Sequence, residues 1–356
     1  VSIYDENSIE GLKDKLFSLN ASTKVEENFF RYYVDRIFSS QGAGTIVTGT
    51  VLGRPIKTND KLFICDIKKE AKVKNLQVHG VDSEEANISN RAAINLSGIN
   101  ANKISKGDLI TKKGYLRGFD MIDISFKALK DKKLSHNKSY SLFIGSKKIE
   151  AKVLLFDSTT TLEEGFATIK AGEKLYCTFG EKIILRQGNH TIAGGKVLNP
   201  IVDPMKKNQK KDLLEALDKE DFASAYNQLL KAHKKGLGLI SSTQRFALSH
   251  EKAIEFSRNM ENVFIDEKEL VIYPIETKDT IIEFIKDIYK KNDYALLSST
   301  SIKLRLKWAS ETFIQSALDT LEEEGILVKE NNLYKNANIK EDFAKNLETI
   351  FLDRLK

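Results

Sequence analysis

Beyond about residue 29 the hydrophobic period of this 356-residue chain changes near Pro204, and that change limits the folds open to it. Up to Pro200 the apolar residues fall in short β-type runs separated by turn signals such as Asn59-Asp60, Ser97-Gly98 and Lys106-Gly107-Asp108. That spacing predicts all-β units. One runs from about 29 to 115 and a second from 116 to 200, with its clearest strands at 140–145, 149–156 and 182–186. After Pro204 the apolar residues recur at three and four, which predicts helices. Leu213, Leu214 and Leu217 line one, Phe222, Tyr226, Leu229 and Leu230 a second, and Ala253, Ile254 and Phe256 a third; a hairpin of 263–265 and 270–273 follows. The order then repeats. Ile281, Ile282, Phe284, Ile285 and Ile288 mark a helix, Phe313, Ile314, Ala317, Leu318 and Leu321 another ending at Gly325, and 326–328 with 333–334 a second hairpin. Phe343, Leu347, Ile350, Phe351 and Leu355 predict a closing helix. Helices followed by a hairpin, twice over, describe two tandem winged helices, at 205–275 and 276–356. Several domains are expected in any case, because single cores stop growing near roughly 250 to 300 residues.

The segment from Asp35 to Thr50 carries Gly42, Gly44 and Gly49, which superficially suggest a nucleotide loop. A phosphate-cradling loop needs a Gly-Lys-Ser/Thr end and a helix behind it. Neither is present. Ile46, Val47, Thr48, Thr50 and Val51 are instead β-branched residues suited to a pleated surface, so the segment reads as a turn feeding a barrel strand. No other GTPase motif is found: Asn102-Lys103-Ile104-Ser105 and Asn137-Lys138-Ser139-Tyr140 begin like the base-reading motif and lack its aspartate. In residues 1–20, Ile9, Leu12 and Leu16 mark one short amphipathic helix.

Hydrophobic content of 41% and charged content of 30% describe a soluble globular chain with no run of the roughly 20 apolar residues that span a bilayer. Cys65 and Cys177 give no disulfide framework, and the opening Val1-Ser2-Ile3-Tyr4-Asp5 has no signal-peptide character, so a cytoplasmic location without membrane contact is expected. The net charge of +6 favours an anionic partner such as RNA. His79, His136, His190, His233 and His250 show no metal-ligand spacing, so no metal site is expected.

Asp35-Arg36-Ile37-Phe38, followed by Gly42-Ala43-Gly44-Thr45 and Val47-Thr48-Gly49-Thr50, resembles the second domain of translational GTPases, most closely the selenocysteine-specific elongation factors. The ending Ile184-Leu185-Arg186, Thr191-Ile192-Ala193-Gly194-Gly195 and Val197-Leu198-Asn199-Pro200 is similar to the third domain of the same family, with Ala193 and Asn199 where the family usually has glycine and aspartate. The resemblance implies two elongation-factor-Tu-like antiparallel β-barrels ahead of the winged helices, and makes residues 1–20 the tail of a GTPase domain that this chain otherwise lacks. GTP and magnesium then belong to that absent domain, and the chain itself is neither an enzyme nor a cofactor carrier. The implied partners are selenocysteinyl-tRNA, a messenger hairpin beside a UGA codon and the ribosome, with the factor a monomer. The alternatives are another elongation-factor-Tu-like factor with winged-helix extensions for RNA or DNA, or a DNA-binding regulator.

By the same resemblance Asp35, Arg36 and Arg91, with His79 as a further candidate, line the pocket for the amino acid on the tRNA. The chemistry fits. A selenol is more acidic than a thiol, whose pKa is about 8.5, so selenocysteine arrives as an anion while serine arrives neutral. Guanidinium groups favour the anion. The competing reading is a surface ion pair of Asp35 with Arg36 or Arg91 that contributes little. In the last winged helix, Lys303, Arg305 and Lys307 before the helix that starts after Ser310, with Lys329 and Lys335 on the wing, are candidates for RNA phosphates. The competing reading there is a solvated face, since Lys303, Arg305 and Lys307 alternate with Leu304 and Leu306. The Ser310-Glu311-Thr312 entry to that helix departs from the family's Ser-Arg-Lys.

Overall fold

The structure, a computed structural model, describes residues 1–19, 29–40 and 44–338. The turn at Gly42-Ala43 and the expected closing helix at 343–355 lie outside the described residues. The first helix, α1 (Glu6–Ser18), is capped by Asp5, whose carboxylate accepts from the Ser8 amide at 3.4 Å. It buries none of its residues, so Leu12 and Leu16 face outward.

The first β unit closes on itself. Strands Arg31–Tyr33, Leu109–Thr111, Lys61–Ile64, Lys69–Val78, Arg91–Ser97 and Gly44–Leu52 pair in that antiparallel order, and the last returns to the first. Outside the ring, Arg36–Ser40 pairs on Gly44–Leu52, Val81–Ser83 on Lys69–Val78, and Ile56–Lys57 with Glu85–Ala86. Alternation along each strand turns Tyr32, Val47, Val51, Val73, Leu76 and Ile94 inward, each contributing about 1.5–3 kcal/mol by burial. A second closed barrel follows, made of Phe119–Ala128, Glu164–Leu175, Lys147–Leu155, Lys138–Ile144, Lys182–Gln187 and His190–Asn199. Its core holds Ile124, Leu142, Val153, Ile169, Leu185 and Val197.

The two barrels are fastened by buried polar contacts. The Tyr33 hydroxyl donates to Glu181 Oε2 at 2.7 Å, and Arg31 lies 3.4 Å from the other oxygen of that carboxylate. Lys147 of the second barrel reaches Asp66 of the first at 2.7 Å, and the Ser146 hydroxyl donates to the Val34 carbonyl at 2.7 Å. Gly145, at φ +54°, lets the Tyr33 ring come within 2.5 Å of where a Cβ would stand, so no larger residue fits without movement.

Past Pro204 come α2 (Lys207–Asp218), α3 (Phe222–Ala232), the single turn α4 (Ser242–Phe246), α5 (His250–Arg258) and the hairpin Val263–Asp266 with Val271–Pro274. Leu213, Leu214, Leu217, Tyr226, Leu229 and Phe246 make their core. Then α6 (Thr277–Lys291), the single turn α7 (Ser299–Lys303), α8 (Glu311–Glu323) and the hairpin Leu327–Glu330 with Leu333–Asn336 repeat the order. The left-handed Gly325 stops α8, and Asn331 and Asn332, both at positive φ, turn the hairpin.

The first helical unit is bolted to the second barrel through Asp123. This fully buried carboxylate receives Lys210 of α2 at 2.8 Å, the Thr168 hydroxyl at 2.6 Å and the Asn199 amide at 3.0 Å. Asn199 therefore serves as a donor, and an aspartate there would press a second carboxylate onto Asp123. Gln244 of α4 completes the joint by bonding the backbone N–H and C=O of Arg117 at 3.1 and 2.8 Å. Among the described residues no helix is long and apolar enough to cross a membrane.

Candidate functional site

Strand Gly44–Leu52 places the best-formed site. Val47 and Val51 point into the barrel, which turns Thr48 and Thr50 to its outer face. Between them Gly49 faces inward under close neighbours: an added Cβ would lie 2.4 Å from the Tyr33 carbonyl oxygen and 2.8 Å from Tyr32 Cζ. The Tyr32 hydroxyl donates to the Ala92 carbonyl at 2.8 Å, bracing the two strands beneath the outer face. Burial, and secondarily the charge of Asp35, hold that hydroxyl protonated far above the usual tyrosine range.

Register assembles the outer face. Arg36 is the cross-strand partner of Thr48, and Arg91 the partner of Thr50. Asp35, one residue before Arg36, anchors its amide on the Thr48 carbonyl at 2.8 Å. Its carboxylate accepts the Thr48 hydroxyl on Oδ1 at 2.6 Å and Arg91 Nη1 on Oδ2; the same Nη1 donates to Thr50 Oγ1 at 3.2 Å. Partial burial works to raise the Asp35 carboxyl. The hydrogen bonds from Arg91 and Thr48, with the charges of Arg91 and Arg36, override it and leave the group below the ordinary carboxylate value. Arg91 is held more strongly protonated by its bond to Asp35. The Arg91 side chain is 53% exposed and that of Asp35 23%, so the cationic end of the pair faces solvent.

Of the four residues expected here from the sequence, three are brought together directly: Asp35 and Arg91 in contact, with the exposed Arg36 beside them. His79 tips the hairpin that joins Lys69–Val78 to Val81–Ser83, with His79 and Gly80 both at positive φ as a two-residue hairpin turn requires. Val78, just before it, pairs with Ala92, and His79 itself is exposed in the turn beyond the paired residues. By residue type Thr48 and Thr50 mark only a strand; the alternation of Val47-Thr48-Gly49-Thr50-Val51 is the signal for their outward hydroxyls.

The basic residues of the last unit are less concentrated. Lys303 ends α7, and its ammonium is taken by Glu269 of the preceding hairpin. Lys329 and Lys335 leave their hairpin on opposite faces, Lys329 over the Tyr334 ring at 5.4 Å and Lys335 beside the exposed Val328, paired with Glu330. Arg305 and Lys307 stand exposed in the turn between α7 and α8, where Leu304 is exposed as well rather than packed beneath them. The helix does start after Ser310, whose hydroxyl accepts the Phe313 amide. Near that cap lies Asp266 of the other unit's hairpin, accepting the Thr312 hydroxyl and the Lys268 and Glu269 amides, the last two at 2.9 and 2.8 Å. Among the described residues no group of three or more His, Cys, Asp or Glu is placed to hold a metal ion.

Residues 121–203 match the family model described as the selenocysteine-specific elongation factor β-barrel domain. The chain is 27% identical over 219 residues to the selenocysteine-specific elongation factor of Desulfomicrobium baculatum, covering 59% of this chain and 34% of that protein. To the selenocysteine-specific elongation factor of Haemophilus influenzae it is 29% identical over 174 residues, 48% of this chain and 28% of that protein. It thus spans about a third of the length of these relatives. A crystal structure of the bacterial selenocysteine-specific elongation factor EF-Sec superposes with a TM-score of 0.73 at 23% identity, covering 97% of this chain and 56% of that one.

Proposed function

We infer that this chain, a relative of the selenocysteine-specific elongation factors, forms the tRNA-holding barrels and messenger-binding extension of such a factor. The observation that carries the reading is the Asp35–Arg91 pair on the first barrel, its guanidinium turned outward on the face that also carries Arg36. A selenolate gains from two guanidinium groups what a neutral serine hydroxyl cannot, and the gain grows as the pocket dries on closure. The intact protein, loaded with GTP, should therefore bind selenocysteinyl-tRNA more tightly than seryl-tRNA in filter binding. Equal affinities would favour an elongation factor of another specificity.

Each helical unit with its hairpin is read as a winged helix, the last one serving the messenger hairpin. A-form RNA denies a helix its narrow major groove, so recognition rests on loop bases and backbone shape, with lysines and arginines neutralising phosphates. The exposed cations best placed are Arg305 and Lys307; Lys303, Lys329 and Lys335 are committed to Glu269, the Tyr334 ring and Glu330. Arg305→Ala with Lys307→Ala should weaken binding of the organism's UGA-adjacent hairpin and flatten its salt dependence by about two counterions. Equal binding of native and loop-scrambled hairpins would reduce these residues to a solvated face. GTP and magnesium are assigned to a preceding GTPase domain, with the ribosome as the site of delivery. Calorimetry on this chain alone is expected to show no GTP binding, and a micromolar isotherm would contradict that assignment.

A further inference from the structure

Both polar contacts of the Arg91 guanidinium among the described residues fall on one nitrogen. Nη1 serves the Asp35 carboxylate and the Thr50 hydroxyl, which leaves the Nε and Nη2 side for an anion. A carboxylate beside an arginine ordinarily tends toward two parallel bonds across the guanidinium fork, and that would close this side. Here Asp35 is turned away from the fork because its other oxygen is taken by the Thr48 hydroxyl at 2.6 Å. Both hydroxyls come from one strand, two residues apart, around a glycine that Tyr32 and Tyr33 hold in place.

We propose that Thr48 and Thr50 are positioning residues of the aminoacyl pocket, holding Asp35 and Arg91 so that the open side of the guanidinium is kept for an anionic side chain. The proposal rests on the reading of this site as the selenocysteine pocket. An arginine that is half exposed carries large rotamer freedom, which an incoming ligand must otherwise freeze out. Thr50 fixes one end of the fork in advance. Thr48 sets the Asp35 carboxylate as a one-point counter-ion, strong enough to orient Arg91 and too narrow to cover it. Threonine suits both positions because its branched Cβ restricts χ1 on a strand while presenting a hydroxyl.

Valine and serine substitutions separate this role from packing. Valine keeps the branched shape and the strand preference and removes the hydroxyl; serine keeps the hydroxyl. In the intact protein with GTP, the ratio of seryl-tRNA to selenocysteinyl-tRNA dissociation constants is expected to fall by about threefold to tenfold in Thr48→Val and in Thr50→Val, the size of one hydrogen bond. The loss should fall on selenocysteinyl-tRNA, and Thr48→Ser and Thr50→Ser should restore most of the ratio. Unchanged ratios in the valine variants, equal losses in valine and serine variants, or parallel weakening of both tRNAs would each overturn the positioning role. Arg91→Ala run alongside tells the two levels apart. If it lowers the ratio while the valine variants do not, only the positioning role fails; if it too leaves the ratio intact, the pocket reading has failed with it.

Discussion

Arg91→Ala, made in the intact protein, is expected to lower the preference for selenocysteinyl-tRNA over seryl-tRNA by about tenfold to a hundredfold. A hydrogen bond to a charged group contributes about 1.5–3 kcal/mol, and each 1.4 kcal/mol is tenfold in affinity. The loss belongs to the selenolate alone, since a hydroxyl presents no charge for the guanidinium to find. Arg36→Ala should move the ratio in the same direction, as the second cation on that face. Folding should barely change, because a pair as open as Asp35–Arg91 adds little to stability. Matched thermal melts with a reduced selectivity ratio would fit this account; a wild-type ratio in both variants would place the pocket elsewhere.

The largest expected effect on stability lies far from that pocket, at Tyr273. This side chain belongs by sequence to the hairpin of the first helical unit, yet it is buried in the core of the second. Its ring stacks on Phe313 at 4.4 Å, and its hydroxyl accepts the Ser310 amide at 2.9 Å. Tyr273→Ala removes a large ring from a filled core and strands the Ser310 amide, a loss of about 3–5 kcal/mol. Tyr273→Phe keeps the ring and should lose about 1–3 kcal/mol, since the Ser310 amide is left without its acceptor. Urea titrations of the two variants test the difference; a loss below about 1 kcal/mol for the alanine variant would mean that the two units hold together without this contact. The same burial bears on truncations. A fragment opened at residue 276 lacks Tyr273 and exposes Phe313 and Trp308, so a fragment beginning before the hairpin is the better test of independent folding.

Most elements were legible in the sequence because their local patterns are long. Runs such as Ile46-Val47-Thr48 and Lys182–Gln187 announce strands by side-chain type, and Leu213, Leu214 and Leu217 announce a helix by spacing. The single turns α4 and α7 leave no mark in the sequence, because five residues are too few to show a helical period. The first helix forms where Ile9, Leu12 and Leu16 place it, and nothing among the described residues covers its apolar stripe. Distant joints were invisible for a different reason. No local pattern announces that Gln244 will complete the backbone of Arg117, or that Tyr33 will meet Glu181 across the barrels. The candidate pocket sits between these cases. Asp35 and Arg91 were singled out through resemblance, while their joining hydroxyls could be placed only once the register of three strands was known.

Asp266 alters what α8 can offer a ligand. A helix that enters a nucleic-acid groove commonly presents its amino end, where free N–H groups and the macrodipole draw a phosphate. In this chain a carboxylate from a neighbouring element already stands there, bonded by Thr312; burial works to raise its carboxyl, and the hydrogen bonds from the Glu269 amide, the hydroxyls beside it and the Lys268 amide together hold it below the ordinary value. It behaves as a resident anion. A duplex approaching α8 head-on would meet negative charge from Asp266, Glu269 and Glu311 instead of an electropositive tip, whereas a ligand coming from the side of Arg305 and Lys307 would meet exposed cations. The hairpin of one unit thus sets the charge at the amino end of the other unit's helix, and an anionic ligand is expected to dock at the flank of α8 before its tip.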